Sequence, residues 1–256
     1  MKKILVIGEL CIDRFVYGDT KRLSPEAPVP VFNPIETIEN KGMAGNVVEN
    51  VKSLYGDCEV LHWYQKENII KSRYVDYKSN HMFIRIDDEN IPCIGLTYLT
   101  PEQRRTISES DLVIISDYNK GYLSSDIIKN IASLSKLIIL DSKKVLNYST
   151  IIDVNFVKLN YTEYLNNKEL CDKHTDKFII TKGKDGAKYN EVDYISTNPQ
   201  QTIDVSGAGD TFMASFGLKY LLTNSIENSI NFANEVCADV VNKKGVSLPD
   251  SKYKLL

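Results

Sequence analysis

The feature that most limits how this chain can fold is a set of five short apolar runs, each nearly continuous: "KILVIG" (3–8), "DLVIIS" (111–116), "KLIILD" (136–141), "NFVKLN" (155–160) and "KFIITKG" (177–183). A strand with one wet face alternates apolar and polar residues, whereas an unbroken run predicts a strand covered on both faces, as in a parallel sheet. Helical patterns separate most of these runs. "AGNVVENVKSLYG" (44–56) places Val47, Val48, Val51 and Leu54 on one face and stops at Gly56. "SSDIIKNIASLS" and "YTEYLNNKEL" read as helices, and two more are predicted at about 209–223 and 225–242. The pattern predicts an α/β fold built on a doubly wound, mostly parallel sheet.

Two stretches break the alternation. Residues 14–38 carry Pro25, Pro28, Pro30 and Pro34 and cannot be helical, and residues 69–87 alternate as a hairpin does. They predict a small β lid, formed by inserted segments at about 14–38 and 69–90, on a single domain spanning 1–256. A chain of 256 residues can bury one sizeable core. The net charge of -3 and a pI near 5.7 argue against a nucleic-acid or anionic-membrane partner, which needs basic excess. No apolar run is long enough for a bilayer span, and the N-terminal "MKKILVIGELCIDRF", interrupted by Glu9, reads as a first strand rather than a signal peptide. Five scattered cysteines, with no C-x-x-C pair, predict a reducing, cytoplasmic setting without disulfides. His62, His81 and His174 are isolated and point to no transition-metal site.

The chemistry is concentrated in "IDVSGAGDTFMASF" (203–216), where two glycines precede an acid at a predicted helix start. Helix N-termini offer unpaired N–H groups and the positive end of the dipole, and glycine lets the backbone approach an anion closely. Gly207, Ala208 and Gly209 are therefore candidates for a phosphate cradle, and Asp210 for a base that accepts a hydroxyl proton. The plainer alternative is a helix-capping acid after a turn. The third glycine of a dinucleotide-binding fingerprint is missing, and no G-x-x-x-x-G-K-[ST] sequence occurs.

"DVSGAGDTF", together with the earlier "KGMAGNVVENVKSLYG", resembles the paired signatures of the ribokinase (PfkB-type) sugar kinase family. "RLSPEAPVPVF", "IIKSRYV", "HMFIRIDDE", "ISDYNKGYLS" and "ILDSKK" resemble its D-glycero-β-D-manno-heptose 7-phosphate kinase branch, the kinase half of a bifunctional kinase/adenylyltransferase. The resemblance runs from about residue 3 to about 250. It implies a ribokinase-like fold and Mg²⁺-ATP-dependent transfer of the γ-phosphate to a sugar hydroxyl. In the heptose branch this is O1 of the heptose 7-phosphate, on the route to ADP-heptose and lipopolysaccharide. A monovalent cation such as K⁺ is compatible. By the same resemblance Asp210 is the base and Gly207–Gly209 the anion hole, while Asp13, Gly42 and Asn46 hold sugar hydroxyls. "LNYTEY" places Asn160 and Glu163 near the nucleotide phosphates, with Glu163 reaching Mg²⁺ directly or through water. Thr181, Gly183 and Gly186 match a nucleotide-binding turn, and Asn234 the adenine side. Lys71, Arg73 and Arg85 are candidates for a clamp on the acceptor's phosphate, with Arg14 and Lys143 as further ones.

Taken singly, these residues have plainer readings: Asn160 and Glu163 a capping box, Gly183 and Gly186 a hairpin turn, Asp13 a surface acid, and the flap cations solvated charge. Met43 stands where the family usually has Gly, and either narrows the sugar pocket or points away. Gly45 stands where Ala is frequent, and Ser206 replaces Thr. The link between Trp63 and Ile69 reads as trimmed and the C-terminus as clipped. The competing functions are a kinase for another sugar or a nucleoside, and a non-catalytic sugar-phosphate-binding protein. The expected partners are a sugar phosphate, ATP and a second copy of the chain meeting through the lid, with no nucleic acid and no membrane.

Overall fold

A computed structural model of the chain describes residues 1–89, 93–196 and 202–255. The last residue of the expected 69–90 lid segment, Asn90, lies outside them. The main sheet has eight strands. β1 (Lys2–Gly8) lies between β4 (Cys58–Trp63) and β7 (Leu112–Asp117), followed by β8 (Ile138–Ser142), β9 (Phe156–Asn160) and β10 (Phe178–Thr181). All of these neighbours pair in parallel. β11 (Ala187–Tyr189) and β12 (Val192–Tyr194), which sequence reasoning did not identify, extend the sheet antiparallel beyond β10.

The continuous apolar runs have the expected consequence. Ile4 and Val6, Leu112 and Ile114, and Ile139 face one core, which is closed by α1 (Ala44–Leu54), α7 (Ala208–Thr223) and α8 (Ile226–Val240). Their strand neighbours Leu5 and Ile7, Val113 and Ile115, and Ile138 and Leu140 face a second core under α2 (Pro101–Glu109) and α3 (Ser125–Ala132). The period-two alternation of side chains sends every second residue to the opposite layer, so both layers demand apolar residues. α7 is buried without a break from Asp210 to Leu218, as expected for a helix with no polar face. The predicted helix over "YTEYLNNKEL" is two short ones, α5 (Tyr161–Asn166) and α6 (Lys168–Lys173). The break falls at Asn167, whose buried side chain bonds Leu146 N and Glu163 O instead of facing solvent.

Residues 14–38 and 69–87 contribute to a separate four-stranded sheet, ordered β3 (Pro30–Met43), β2 (Leu10–Leu23), β5 (Ile70–Asp76), β6 (Met82–Asp88). β2 and β3 are antiparallel, β2 and β5 parallel, β5 and β6 antiparallel. The short link between β4 and β5 is held by the buried Gln65 side chain, which accepts from Leu10 N at 2.9 Å and donates to Leu10 O at 2.6 Å. Among the described residues no helix is long and apolar enough to cross a membrane.

Ile114 is fully buried at the centre of the main sheet. Ile114→Ala is expected to lower unfolding free energy by about 3 kcal/mol through lost burial and an unfilled cavity, read as a lowered denaturant midpoint with unchanged slope.

Candidate active site

Parallel strands deliver the loops at their C-terminal ends to one edge of the sheet, the usual location of ligands in open α/β folds. Here that edge meets the N-terminus of α7. Its cap, Gly207, has φ 79° and ψ -2°, and no side chain caps the helix. The left-handed turn suits glycine, and a Cβ here would lie 2.5 Å from Asn46 Nδ2. Ala208 N donates to Val205 O, but among the described residues no backbone carbonyl accepts from the N–H groups of Gly209 or Asp210. The ammonium of Lys158, a residue 3% exposed, lies 3.0 Å from where a Cβ on Gly209 would sit. Two unpaired amides, the helix dipole and a buried cation converge where a phosphate would be received.

Asp210, in the first turn, is held from two sides. Its Oδ2 accepts from Asn46 Nδ2 at 3.2 Å and its Oδ1 from the Tyr118 hydroxyl at 3.0 Å. Asn46 is fixed in turn by Asn50, whose Nδ2 donates to Asn46 Oδ1 at 3.0 Å. Burial pushes the Asp210 carboxyl up to about 6. The bonds from Asn46 and Tyr118 and the charge of Lys158 oppose the rise, and the charge of Asp141 adds to it.

A chain of alternating charge runs outward from the cradle. Lys158 donates to Asp141 Oδ2 at 2.8 Å, Lys143 to Asp141 Oδ1 at 3.4 Å, and Lys143 also to Glu163 Oε1. Burial works against ionised Asp141, but Lys158 and Lys143 outweigh it and hold the carboxyl below its usual range. Burial likewise disfavours charged Lys143, and Asp141 and Glu163 overcome it, raising the ammonium. Asn160 and Glu163 form a capping box at α5: Glu163 N donates to Asn160 Oδ1 at 2.9 Å and Asn160 N to Glu163 Oε2 at 2.8 Å. Both Glu163 oxygens thus already accept protein donors. Among the described residues no cluster of three His, Cys, Asp or Glu could hold a metal. The donor set fits Mg²⁺ held through water and ligand phosphates, the coordination this ion favours.

The small sheet forms the other wall. β2 and β5 are in register with Asp13 opposite Lys71 and Phe15 opposite Arg73, so period two puts Asp13, Lys71 and Arg73 on one face. Arg73 Nη1 donates to Asp13 Oδ1 at 2.5 Å, and a Cβ on Gly42 would lie 2.0 Å from Asp13 Oδ2. Asp13 is 6% exposed and Lys71 8%, so neither is the surface charge that an exposed flap predicts. No carboxylate among the described residues lies within ion-pair distance of Lys71, whose ammonium is 5.5 Å from the Tyr118 ring centre. Arg85 stands opposite Arg73 but makes a two-pronged pair with Asp87, at 2.7 and 2.9 Å. Arg14, one residue from Asp13, faces the other way and pairs with Glu39 at 2.6 Å, so it is not brought to the site.

On the far side of the cradle a cleft is lined by Thr181, Gly183, Gly186, Phe212, Asn234 and Val241. Gly186 has φ 88° in the turn after β10, and Asn234 Nδ2 donates to Tyr194 O at 3.0 Å. Sequence reasoning missed Lys158, Asp141 and Tyr118. A lysine inside the apolar run "NFVKLN" was the available signal for the first, since a buried lysine needs a buried partner.

The family model described as pfkB family carbohydrate kinase matches residues 144–252. The bifunctional protein HldE of Helicobacter pylori (strain P12) is 30% identical, covering 97% of this chain and 65% of its own length. That of Campylobacter fetus subsp. fetus (strain 82-40) is 32% identical, covering 96% and 64%. The chain thus spans just under two thirds of the length of these relatives. Arabidopsis thaliana ribokinase complexed with ribose and ATP superposes with TM-score 0.72 at 14% identity, covering 98% of this chain and 97% of its own. Escherichia coli phosphofructokinase-2 in complex with potassium gives TM-score 0.73 at 15% identity, covering 99% and 97%. At that identity the likeness establishes the fold, which is ribokinase-like.

A carboxyl raised in the folded state stabilises it most at low pH, below the unfolded value near 3.8, and that contribution is lost as pH rises through about 6. Above that pH the ionised Asp210 is a cost. Asp210→Asn is therefore expected to be more stabilising at pH 8 than at pH 4, by about 2–3 kcal/mol, in paired denaturant titrations.

Proposed function

We propose that the chain is a carbohydrate kinase of the pfkB family and that it transfers the γ-phosphate of ATP to O1 of D-glycero-β-D-manno-heptose 7-phosphate. The observation that carries the reading is Asp210 fixed beside the unpaired N–H groups of Gly209 and its own backbone, with Lys158 against the same turn. The heptose relatives support the acceptor, and so does Lys71, a buried cation with no carboxylate within ion-pair distance among the described residues.

Phosphoryl transfer demands little covalent chemistry of the protein and much positioning and charge stabilisation. In this reading Asp210 accepts the proton of the acceptor hydroxyl as that oxygen attacks. The amides of Gly207 and Gly209 and the Lys158 ammonium face the charge spreading over the migrating group, fixed in advance and shielded from water, whereas the Ala208 amide is taken by Val205 O. Asp13, Gly42 and Asn46 receive sugar hydroxyls, a carboxylate and an amide being suited to paired hydrogen bonds with a diol. Lys71, Arg73 and Arg85 face the acceptor's own phosphate, with Arg73 exchanging part of its contact with Asp13. ATP occupies the cleft of Thr181, Gly183, Gly186 and Asn234, its phosphates toward Asn160, Lys143 and Lys158. Glu163 would hold Mg²⁺ through water, and the ion, when bound, would supply neutralisation of phosphate charge; K⁺ would be an accessory on the analogy of the potassium-bound neighbour.

The four-stranded sheet acts as the lid of a single domain, closing over the acceptor and excluding water. Its β6 exposes Met82, Ile84 and Ile86, which supports a homodimer formed through this sheet. The setting proposed is cytoplasmic.

The reading is tested by following ATP consumption with heptose 7-phosphate, hexose phosphates, free sugars and nucleosides in parallel. Heptose 7-phosphate should give the highest kcat/KM; a faster hexose, sugar or nucleoside would remove the acceptor assignment. Asp210→Asn should lower kcat by a factor on the order of 10³ with ATP affinity retained, the scale of a lost general base. Turnover at the wild-type rate would rule out the base. Lys71→Met should raise KM for the phosphorylated acceptor roughly 10- to 100-fold, the scale of one lost charge-assisted hydrogen bond, and leave KM for ATP alone.

A further inference from the structure

Tyr118 lies just beyond β7, on a loop whose backbone is fixed with unusual care. The carboxylate of Glu9, a residue 0% exposed, accepts the N–H groups of Tyr118 at 2.8 Å, Lys120 at 3.0 Å and Tyr122 at 3.2 Å. A buried carboxylate is tolerated only with such compensation, so Glu9 and the loop require each other. Inside the loop Asn119 takes φ 57°, a left-handed turn that asparagine tolerates. The Tyr118 ring packs against the Cys11, Met43 and Ile69 cluster. Met43 there holds φ 55° and ψ -135°, a backbone state costly for any residue with a side chain. The ammonium groups of Lys71 and Lys143 lie 5.5 and 5.3 Å from the ring centre.

All these restraints deliver one atom, the phenolic oxygen, to Asp210 Oδ1 at 3.0 Å. With Asn46 on Oδ2, the carboxylate plane is clamped from both sides. We infer that Tyr118 is a positioning residue for Asp210, its hydroxyl orienting the carboxylate toward the acceptor and stabilising its charge, with Glu9 as the anchor of the loop that carries it. The inference rests on the reading of Asp210 as base. Burial and the Asp210 charge raise the Tyr118 hydroxyl well above its usual range, so it stays a neutral donor. The other groups that act on Asp210 are Asp141 and Lys143 at the end of β8, Lys158 of β9 and the Cys11 thiol of β2. None of these is altered by removing the phenolic oxygen.

The test is Tyr118→Phe, which keeps the ring and its packing. Removing a donor from a carboxylate raises its pKa, and activity requires the ionised form. The acid limb of kcat/KM against pH should therefore move up by about one pH unit, and kcat/KM should fall roughly twofold at pH 7 and roughly tenfold at pH 5, with KM for ATP unchanged. A carboxyl-carbon NMR titration of Asp210, which needs no acceptor, should show the same upward movement. An unmoved limb with an unmoved NMR titration overturns the inference, as does a raised acceptor KM with an unmoved limb, which would make Tyr118 a sugar contact. The two readings fail separately. Full turnover by Asp210→Asn ends the base assignment, whereas an inactive Asp210→Asn beside an unshifted Tyr118→Phe ends only the role of Tyr118.

Discussion

A carboxylate in the first turn of a buried helix is the constraint around which the rest of the site is arranged. α7 has no polar face from Asp210 to Leu218, so it can only lie against the sheet, and its N-terminus can only end at the edge where the parallel strands stop. Asp210 is carried to that edge and shut away from solvent there. Burial disfavours its charge and raises the carboxyl to about 6, and the helix N-terminus, Asn46 and Tyr118 restore enough stabilisation for it to ionise at neutral pH. A surface aspartate would be fully ionised but a weaker base, and one buried without donors would stay protonated. The placement between these limits suits a proton acceptor working near pH 7.

The cations of the main sheet answer the same constraint. Lys158 cannot be buried alone, so Asp141 accompanies it, and Lys143 and Glu163 continue the alternation outward to the wetter rim. Such an ion-pair chain contributes little net stability, because desolvation consumes most of the attraction. What it supplies is a fixed positive charge against Gly209, available to an incoming anion without rearrangement. Across the cleft the small sheet presents a second set, Asp13, Lys71 and Arg73, of which Lys71 has no carboxylate within ion-pair distance among the described residues. The Tyr118 ring lies close to a member of each cationic group, Lys71 and Lys143.

How much of this could be read in advance differs residue by residue. The main strands and α7 were legible because burial on both faces demands unbroken apolar runs. The G-A-G-D turn was legible as a helix start because glycines and an acid stand directly before an apolar run, while its role as an anion cradle came from the resemblance. β11 and β12 were not, since strands of three residues leave too short a pattern. The split of α5 from α6 was hidden because Asn167 acts through distant partners, Leu146 in particular. Asp13 was expected at the sugar, and Arg14 was a further candidate for the phosphate clamp. Strand pairing alone turned one inward and the other out.

By itself, then, the amino-acid order determined the layered α/β architecture, the turn before Asp210 and the types of residue available for anion binding, because hydrophobic period and glycine placement are local properties. The burial of Lys71 and Lys158, the bond from Tyr118 to Asp210 and the pairing of Arg73 with Asp13 were decided only by the tertiary structure. Each joins residues far apart in the chain, and the charge a side chain keeps depends on which neighbours the fold assigns to it.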